Sequence, residues 1–148
     1  ALGNSGLIWI ILAGILILTP KHRKIGAAVM AGLVLEVFCC NLVLKPLVAR
    51  IRPCDVNTAV QLLIPRPDDF SFPSGHTGVS FAAVSALCAG KSKLRIPALC
   101  LSVLIAFSRL YLYVHYPTDV LAGAVIGIMT GWLGSKLVDV AWRKRNVS

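Results

Sequence analysis

Ser108-Arg109-Leu110-Tyr111-Leu112-Tyr113-Val114-His115-Tyr116-Pro117-Thr118-Asp119 closes one long apolar run and opens the next. A chain turning back between two such runs needs a bend. Pro117 supplies it, because its fixed φ and missing N–H interrupt a helix. A bend does not need Arg109, His115 and Asp119 as well. Charged and titratable groups at the rim of a bilayer are costly, so a cluster of them marks a functional candidate.

Composition sets the surroundings of that bend. The 148 residues are 57% hydrophobic and only 14% charged, with a mean hydropathy of +0.79. A soluble domain of this length carries more charge and fewer long apolar runs. The net charge of +9 does not point to nucleic acid, because nine of the fifteen Lys/Arg fall in three short clusters. These are Lys21, Arg23 and Lys24; Lys91, Lys93 and Arg95; and Arg143, Lys144 and Arg145. Such clusters between apolar runs read as cytoplasmic loops. Of the five cysteines, Cys39, Cys40, Cys88 and Cys100 lie in apolar runs and Cys54 in a polar loop. They show neither a Cys-x-x-Cys nor metal-site spacing, so they read as small packing residues.

Five apolar runs are visible, at about 2–19, 25–47, 75–90, 96–113 and 118–142. The expected fold is therefore an all-α polytopic transmembrane bundle, one membrane-embedded domain over residues 1–148, with five spanning helices. The run at 75–90 is short for a span and is expected to start below the membrane surface. Placing the basic clusters in the cytoplasm puts the 48–72 loop and the 108–119 bend together on the opposite face. It also puts the start of the first run outside, so a further helix is expected upstream of Ala1. No basic segment precedes the first run, and no signal peptide is expected. Within the long loop, Asp55 is expected to cap a short interfacial helix with Val56, Val60, Leu63 and Ile64 on one face. Gly123, Gly127 and Gly131, followed by Gly134, form a small-residue stripe for close helix packing, inside the bundle or in a homodimer.

Two further polar stretches complement the bend. In Pro73-Ser74-Gly75-His76, Ser74 suits a helix N-cap and Gly75 lets an oxygen ligand approach the backbone. The N–H groups and dipole of the following helix would favour an anion, with His76 beside it. In Lys45-Pro46-Leu47-Val48-Ala49-Arg50-Ile51-Arg52-Pro53, Lys45 and Arg52 lie seven apart, near two helical turns. They can converge on one anion, and Arg109 adds a third cation. His115 and Asp119 lie one helical turn apart, so a carboxylate can fix one imidazole nitrogen and leave the other free to attack. Each stretch alone also has an ordinary reading: a capped helix start, cations reaching lipid headgroups, or a structural His–Asp pair. Arg50 is assigned to headgroup contact. Together the three stretches point to one phosphate.

The pattern Lys-x6-Arg-Pro, Pro-Ser-Gly-His, Ser-Arg-x5-His-x3-Asp resembles that of the type 2 phosphatidic acid phosphatase superfamily, the lipid phosphate phosphatases. Eleven positions match in order: Lys45, Arg52, Pro53; Pro73, Ser74, Gly75, His76; Ser108, Arg109, His115, Asp119. Membrane members usually have six spanning helices, one more than the five runs here. The resemblance implies a phosphatase with His115 as nucleophile, forming a phosphohistidine, and Asp119 orienting it. It implies His76 as acid and then base. Lys45, Arg52, Ser74, Gly75 and Arg109 would hold the phosphate oxygens, and Ser108 would orient a neighbour. Neither a metal nor another cofactor is implied, since cations already meet the phosphate charge. The substrate expected is a lipid phosphate on the extracytoplasmic side of a bacterial cell membrane, with undecaprenyl pyrophosphate favoured over phosphatidylglycerophosphate and phosphatidate. A lipid phosphotransferase and a non-catalytic lipid-phosphate transporter are the competing readings. Glu36 and Asn41, inside the second run, read as a hydrogen-bonded interhelical contact or as a proton relay or headgroup contact.

Overall fold

The computed structural model describes residues 5–147, and the regular structure among them is helical. Helix α1 spans Ser5–Leu18. After the 3-10 turn Pro20–His22, α2 (Arg23–Val37) runs on through a π-helical stretch, Phe38–Leu44, into a last α-helical turn, α3 (Lys45–Val48). A single turn, α4 (Pro53–Val56), starts the long loop. Then come α5 (Gly75–Ala89), α6 (Arg95–Tyr111) and α7 (Pro117–Val147). The five apolar runs thus become five helical segments, and the bend at Pro117 starts the last of them.

Two helical segments are long and apolar enough to cross a membrane, Pro20–Val56 and Pro117–Arg145. With 15 and 17 residues, α5 and α6 are shorter than the roughly 20 residues a full crossing takes; α1 has 14 described residues. Helix α1 stops ahead of Pro20, and α6 stops at the Leu112–His115 bend.

Many of the buried residues are small, and many large apolar ones face outward. Helix α5 is central and buries Gly78, Ser80, Ala82, Ala83, Ala86 and Leu87 against α7, α2, α6 and α1. Its serines are satisfied across the bundle: Trp9 Nε1 donates to Ser80 Oγ at 2.9 Å, and Ser85 Oγ donates to the Ile128 carbonyl at 2.8 Å. Leu104, Phe107, Leu121 and Met129, in contrast, are each roughly two-thirds exposed. Such a surface suits hydrocarbon rather than water, and small buried residues let helix backbones approach closely without a hydrophobic drive between helices.

The glycine stripe is used within the chain. A Cβ on Gly123, Gly127 or Gly131 would lie 2.5, 2.2 and 2.2 Å from the carbonyl oxygens of Ser74, Gly78 and Ala82. One on Gly134 would lie 2.5 Å from the Gly32 nitrogen. The stripe therefore seats α7 on α5 and α2 and is not available to a second copy. Glu36 faces α5 in the space left by Gly78. It is fully buried and its carboxyl has no hydrogen-bond partner on α5, so the expected interhelical contact exists but is not a hydrogen-bonded one.

The interfacial helix expected from Asp55 onward is not formed. Only Pro53–Val56 is helical, and Asn57 leaves it in extended conformation. Pro65 and Pro67 would interrupt any helix running on through them, and Val56 and Leu63 stay exposed. Asp55 sits within the turn rather than capping it, and pairs with Arg66 at 2.6 Å.

Candidate active site

Four chain segments converge at one end of the bundle: the end of the α2–α3 rod, the loop before α5, the start of α5, and the α6–α7 bend. Lys24 pairs with Asp139 at 2.7 Å at the other end, which joins the first basic cluster to the far part of α7. The converging segments enclose a cavity of about 710 Å³ lined by Lys45, Arg52, Gly75, His76, Arg109 and His115. Six of the eight expected site residues thus share one cavity. Ser74 and Asp119, both fully buried, stand behind its wall.

The route by which Lys45 and Arg52 meet differs from the expected two-turn helix. The rod ends at Val48, and Ala49 adopts the left-handed region at φ 47°, with its N–H on the Lys45 carbonyl. The chain then reverses, and the two cations converge on the carboxylate of Asp69: Lys45 Nζ pairs with Oδ2 and Arg52 Nη2 with Oδ1. Backbone carbonyls fix Arg52 further, with Nε on Asp69 O at 2.8 Å and Nη1 on Val114 O at 2.7 Å. Burial raises the Asp69 carboxyl, but the hydrogen bonds from Lys45 and Arg52 outweigh it and hold the group below its usual range.

Arg52 Nη1 also donates to His115 Nε2 at 3.2 Å. A guanidinium has no acceptor, so Nε2 carries the lone pair and the imidazole proton sits on Nδ1. Burial, followed by the Arg52 charge, pushes His115 down to about 4 against the opposing pull of Asp119. The ring is therefore neutral near pH 7. Its Nδ1 lies 3.7 Å from Asp119 Oδ2, too far for a hydrogen bond.

The Asp119 carboxylate is instead a junction. Arg50 Nη1 donates to Oδ1 at 2.8 Å, and Oδ2 accepts from the Ser71 hydroxyl and from the Tyr116 N–H at 2.9 Å. Its carbonyl accepts the Ser74 N–H at 3.0 Å, tying the bend to the start of α5. Arg50, assigned to headgroups from sequence, thus belongs to the site: it also bonds the Thr118 hydroxyl at 2.7 Å and covers the Tyr116 ring at 4.0 Å. Headgroup contact was inferred from its place at a helix end; the left-handed turn at Ala49 redirects it inward.

Ser74 is the N-cap of α5, but its hydroxyl pairs with Thr77 Oγ at 3.0 Å rather than with a helix N–H. A Cβ at Gly75 would stand 3.3 Å from Asn41 Oδ1 and 3.9 Å from Lys45 Nζ, so glycine keeps open the corner between the helix start and the lysine. Ser108 accepts from Arg109 Nε at 3.2 Å, as a positioning residue would. Sequence reading missed Asp69, Arg66 and the cavity-facing role of Asn41. The one available signal was Asp68-Asp69, an acidic pair in a chain with only six acidic residues. Among the described residues no cluster of three or more His, Cys, Asp or Glu could hold a metal ion.

A helical bundle with an apolar exterior, two spans of membrane length and a cationic cavity holding two histidines defines a helical membrane protein with its polar chemistry at one rim. The model of the PAP2 superfamily matches residues 24–143, and the chain belongs to that superfamily. It is 33% identical over 131 residues to an undecaprenyl-diphosphatase of Sulfolobus acidocaldarius, covering 88% of this chain and 63% of that protein. The crystal structure of Aquifex aeolicus LpxE matches with a TM-score of 0.73 and 28% identity over 88% of this chain and 78% of that one. A transmembrane PAP2-type phosphatidylglycerolphosphate phosphatase from Bacillus subtilis matches with a TM-score of 0.69 and 27% identity, covering 90% and 68%. The chain spans under two thirds of the length of the curated relative it matches.

Proposed function

We propose that this chain is a membrane phosphatase that hydrolyses the terminal phosphate of a lipid phosphate or diphosphate, and we favour undecaprenyl diphosphate as its substrate. The observation that carries this reading is the 3.2 Å contact of Arg52 with His115 Nε2. It identifies Nε2 as the ring nitrogen with the lone pair and sets a cation beside it; a phosphoryl oxygen that takes over the Arg52 N–H frees that lone pair for attack. His115 Nε2 attacks the terminal phosphorus while the bond to the lipid oxygen breaks. His76, as imidazolium, protonates that oxygen. Closing the 3.7 Å gap from Nδ1 to Asp119 stabilises the positive charge on the phosphohistidine; catalytic hydrogen bonds often tighten only in the complex. Neutral His76 then takes a proton from water, which attacks phosphorus, breaks the P–N bond and releases inorganic phosphate. Lys45, Arg52, Arg109 and the backbone at Gly75 share the charge on the non-bridging oxygens, with Ser74 behind them. No metal enters this scheme.

The undecaprenyl reading draws on the Sulfolobus relative. The second reading, phosphatidylglycerophosphate, draws on the Bacillus neighbour. We place the protein as five passes in a bacterial cell membrane with the cavity extracytoplasmic, because the basic clusters lie towards the opposite end of the bundle. The test is phosphate release by the detergent-solubilised chain from undecaprenyl diphosphate, phosphatidylglycerophosphate and phosphatidate, without an acceptor alcohol. Release should persist in chelator and stop with vanadate. Silence on every lipid, or chelator-dependent loss restored by metal, refutes the proposal.

A further inference from the structure

The cations nearest His115 already hold an anion. Asp69 divides its carboxylate between them, one oxygen on Lys45 Nζ and the other on Arg52 Nη2. Two oxygens on one centre, each facing a different cation, is the arrangement two non-bridging oxygens of a phosphoryl group would adopt in the same place.

The carboxylate is not needed to position Arg52. Backbone carbonyls of Asp69, Phe70 and Val114 all accept from that guanidinium, and they remain whatever side chain stands at 69. Lys45 leaves a continuous helical rod, and its side chain is 11% exposed, so the surrounding walls hold it as well. The Asp69 side chain, by contrast, is 53% exposed. Rotation about its own side-chain bonds carries the carboxylate into solvent without breaking the backbone contacts.

We propose that Asp69 is a resident counter-ion, an internal occupant of the phosphate position that an incoming phosphoryl group displaces, and that it thereby sets the affinity of the site for phosphate. The proposal rests on the phosphate-binding reading above. A ligand that binds only the open arrangement is weakened by the fraction of protein that is open. That weakening falls on substrate and on released phosphate alike, so the returning carboxylate helps to clear the product. The rival role, a strut holding Lys45 and Arg52 in place, predicts the opposite sign when the charge is removed.

The experiment measures binding of inorganic phosphate to the detergent-solubilised full chain by calorimetry, together with its inhibition of lipid-phosphate hydrolysis. In Asp69→Asn, which keeps shape and removes charge, phosphate should bind about tenfold or more tightly, and KM should fall in step. Asp68→Asn removes the same charge one residue away, from an exposed side chain, and should leave phosphate affinity within about twofold. Equal or weaker phosphate binding by Asp69→Asn overturns the proposal. So does equal tightening in Asp68→Asn, or failure of both Asp69→Asn and Asp69→Ala to fold. If the unaltered chain hydrolyses lipid phosphate while Asp69→Asn gains no affinity, only the counter-ion role falls. If the unaltered chain neither binds phosphate nor hydrolyses lipid, the functional reading falls with it.

Discussion

Arg50 Nη1 and Asp119 Oδ1 meet at 2.8 Å across 69 positions of sequence. The contact closes the end of the α2–α3 rod onto the start of α7 and leaves Oδ2 facing the His115 ring. A hydrogen bond to a charged group contributes about 1.5–3 kcal/mol. Arg50→Ala should therefore lower kcat/KM roughly ten- to hundredfold through kcat, because Arg50 acts on Asp119 and not on the phosphate. Arg50→Lys, which keeps charge but loses the planar fork, should restore part of it. Steady-state kinetics on a short-chain lipid phosphate check this, and a loss confined to KM contradicts it.

His115→Ala should remove turnover by a factor on the order of 10³ or more while leaving the helical circular dichroism unchanged. Acid quenching of the unaltered enzyme during turnover should trap an acid-labile phosphoenzyme that the variant lacks. Appreciable phosphate release by His115→Ala would show that another group is the nucleophile.

The pH dependence follows from the depressed His115 pKa, about 4 against 6.5 for the free side chain. In the proposed mechanism only the neutral imidazole attacks, so the His115 limb of kcat/KM should fall as the pH drops through about 4. Between 6.5 and about 4 the unfolded chain binds a proton at this residue that the folded chain refuses. Acidification across that window should therefore lower stability by up to about 1.4 kcal/mol per pH unit from this group. Unfolding of the detergent-solubilised protein between pH 7 and 4 measures it, and His115→Gln should remove this contribution.

Gly127→Ala should destabilise the protein and Gly14→Ala should not. A methyl on Gly127 would meet the Gly78 carbonyl oxygen at 2.2 Å, whereas nothing lies within 4 Å of one on Gly14. The first substitution forces α7 away from α5 and should destabilise by about 1–3 kcal/mol. The second should be neutral or stabilising by up to about 1 kcal/mol through helix propensity. Thermal unfolding in one detergent compares the two directly.

Most of the helical framework was readable because its signals are local. Apolar runs set the segments, Pro20, Pro53 and Pro117 punctuate them, and the spacing of His115 and Asp119 places both in the one bend. The same locality explains the errors. Residues 56–64 have the apolar spacing of a helix, yet the α4 turn ends at Val56, where Asn57 turns to extended backbone. Arg50 and Arg52 look alike in sequence; the left-handed residue at Ala49 sends one to Asp119 and the other to His115 and Asp69.

By itself, the sequence determined that the protein is helical and apolar, that its basic clusters separate from its titratable ones, and which histidines and cations are available for a phosphate. Helix formation and the clustering of charge depend on residues a few positions apart, so they are written in the order of the letters. Only the tertiary structure decided that Asp69 bridges Lys45 and Arg52, that Asp119 binds Arg50, Ser71 and the Tyr116 N–H while standing back from His115, and that the α7 glycines are spent on α5 and α2. Those outcomes depend on which distant segments close on one another, and that choice is made by helix packing and by the satisfaction of buried charge, which no local stretch encodes.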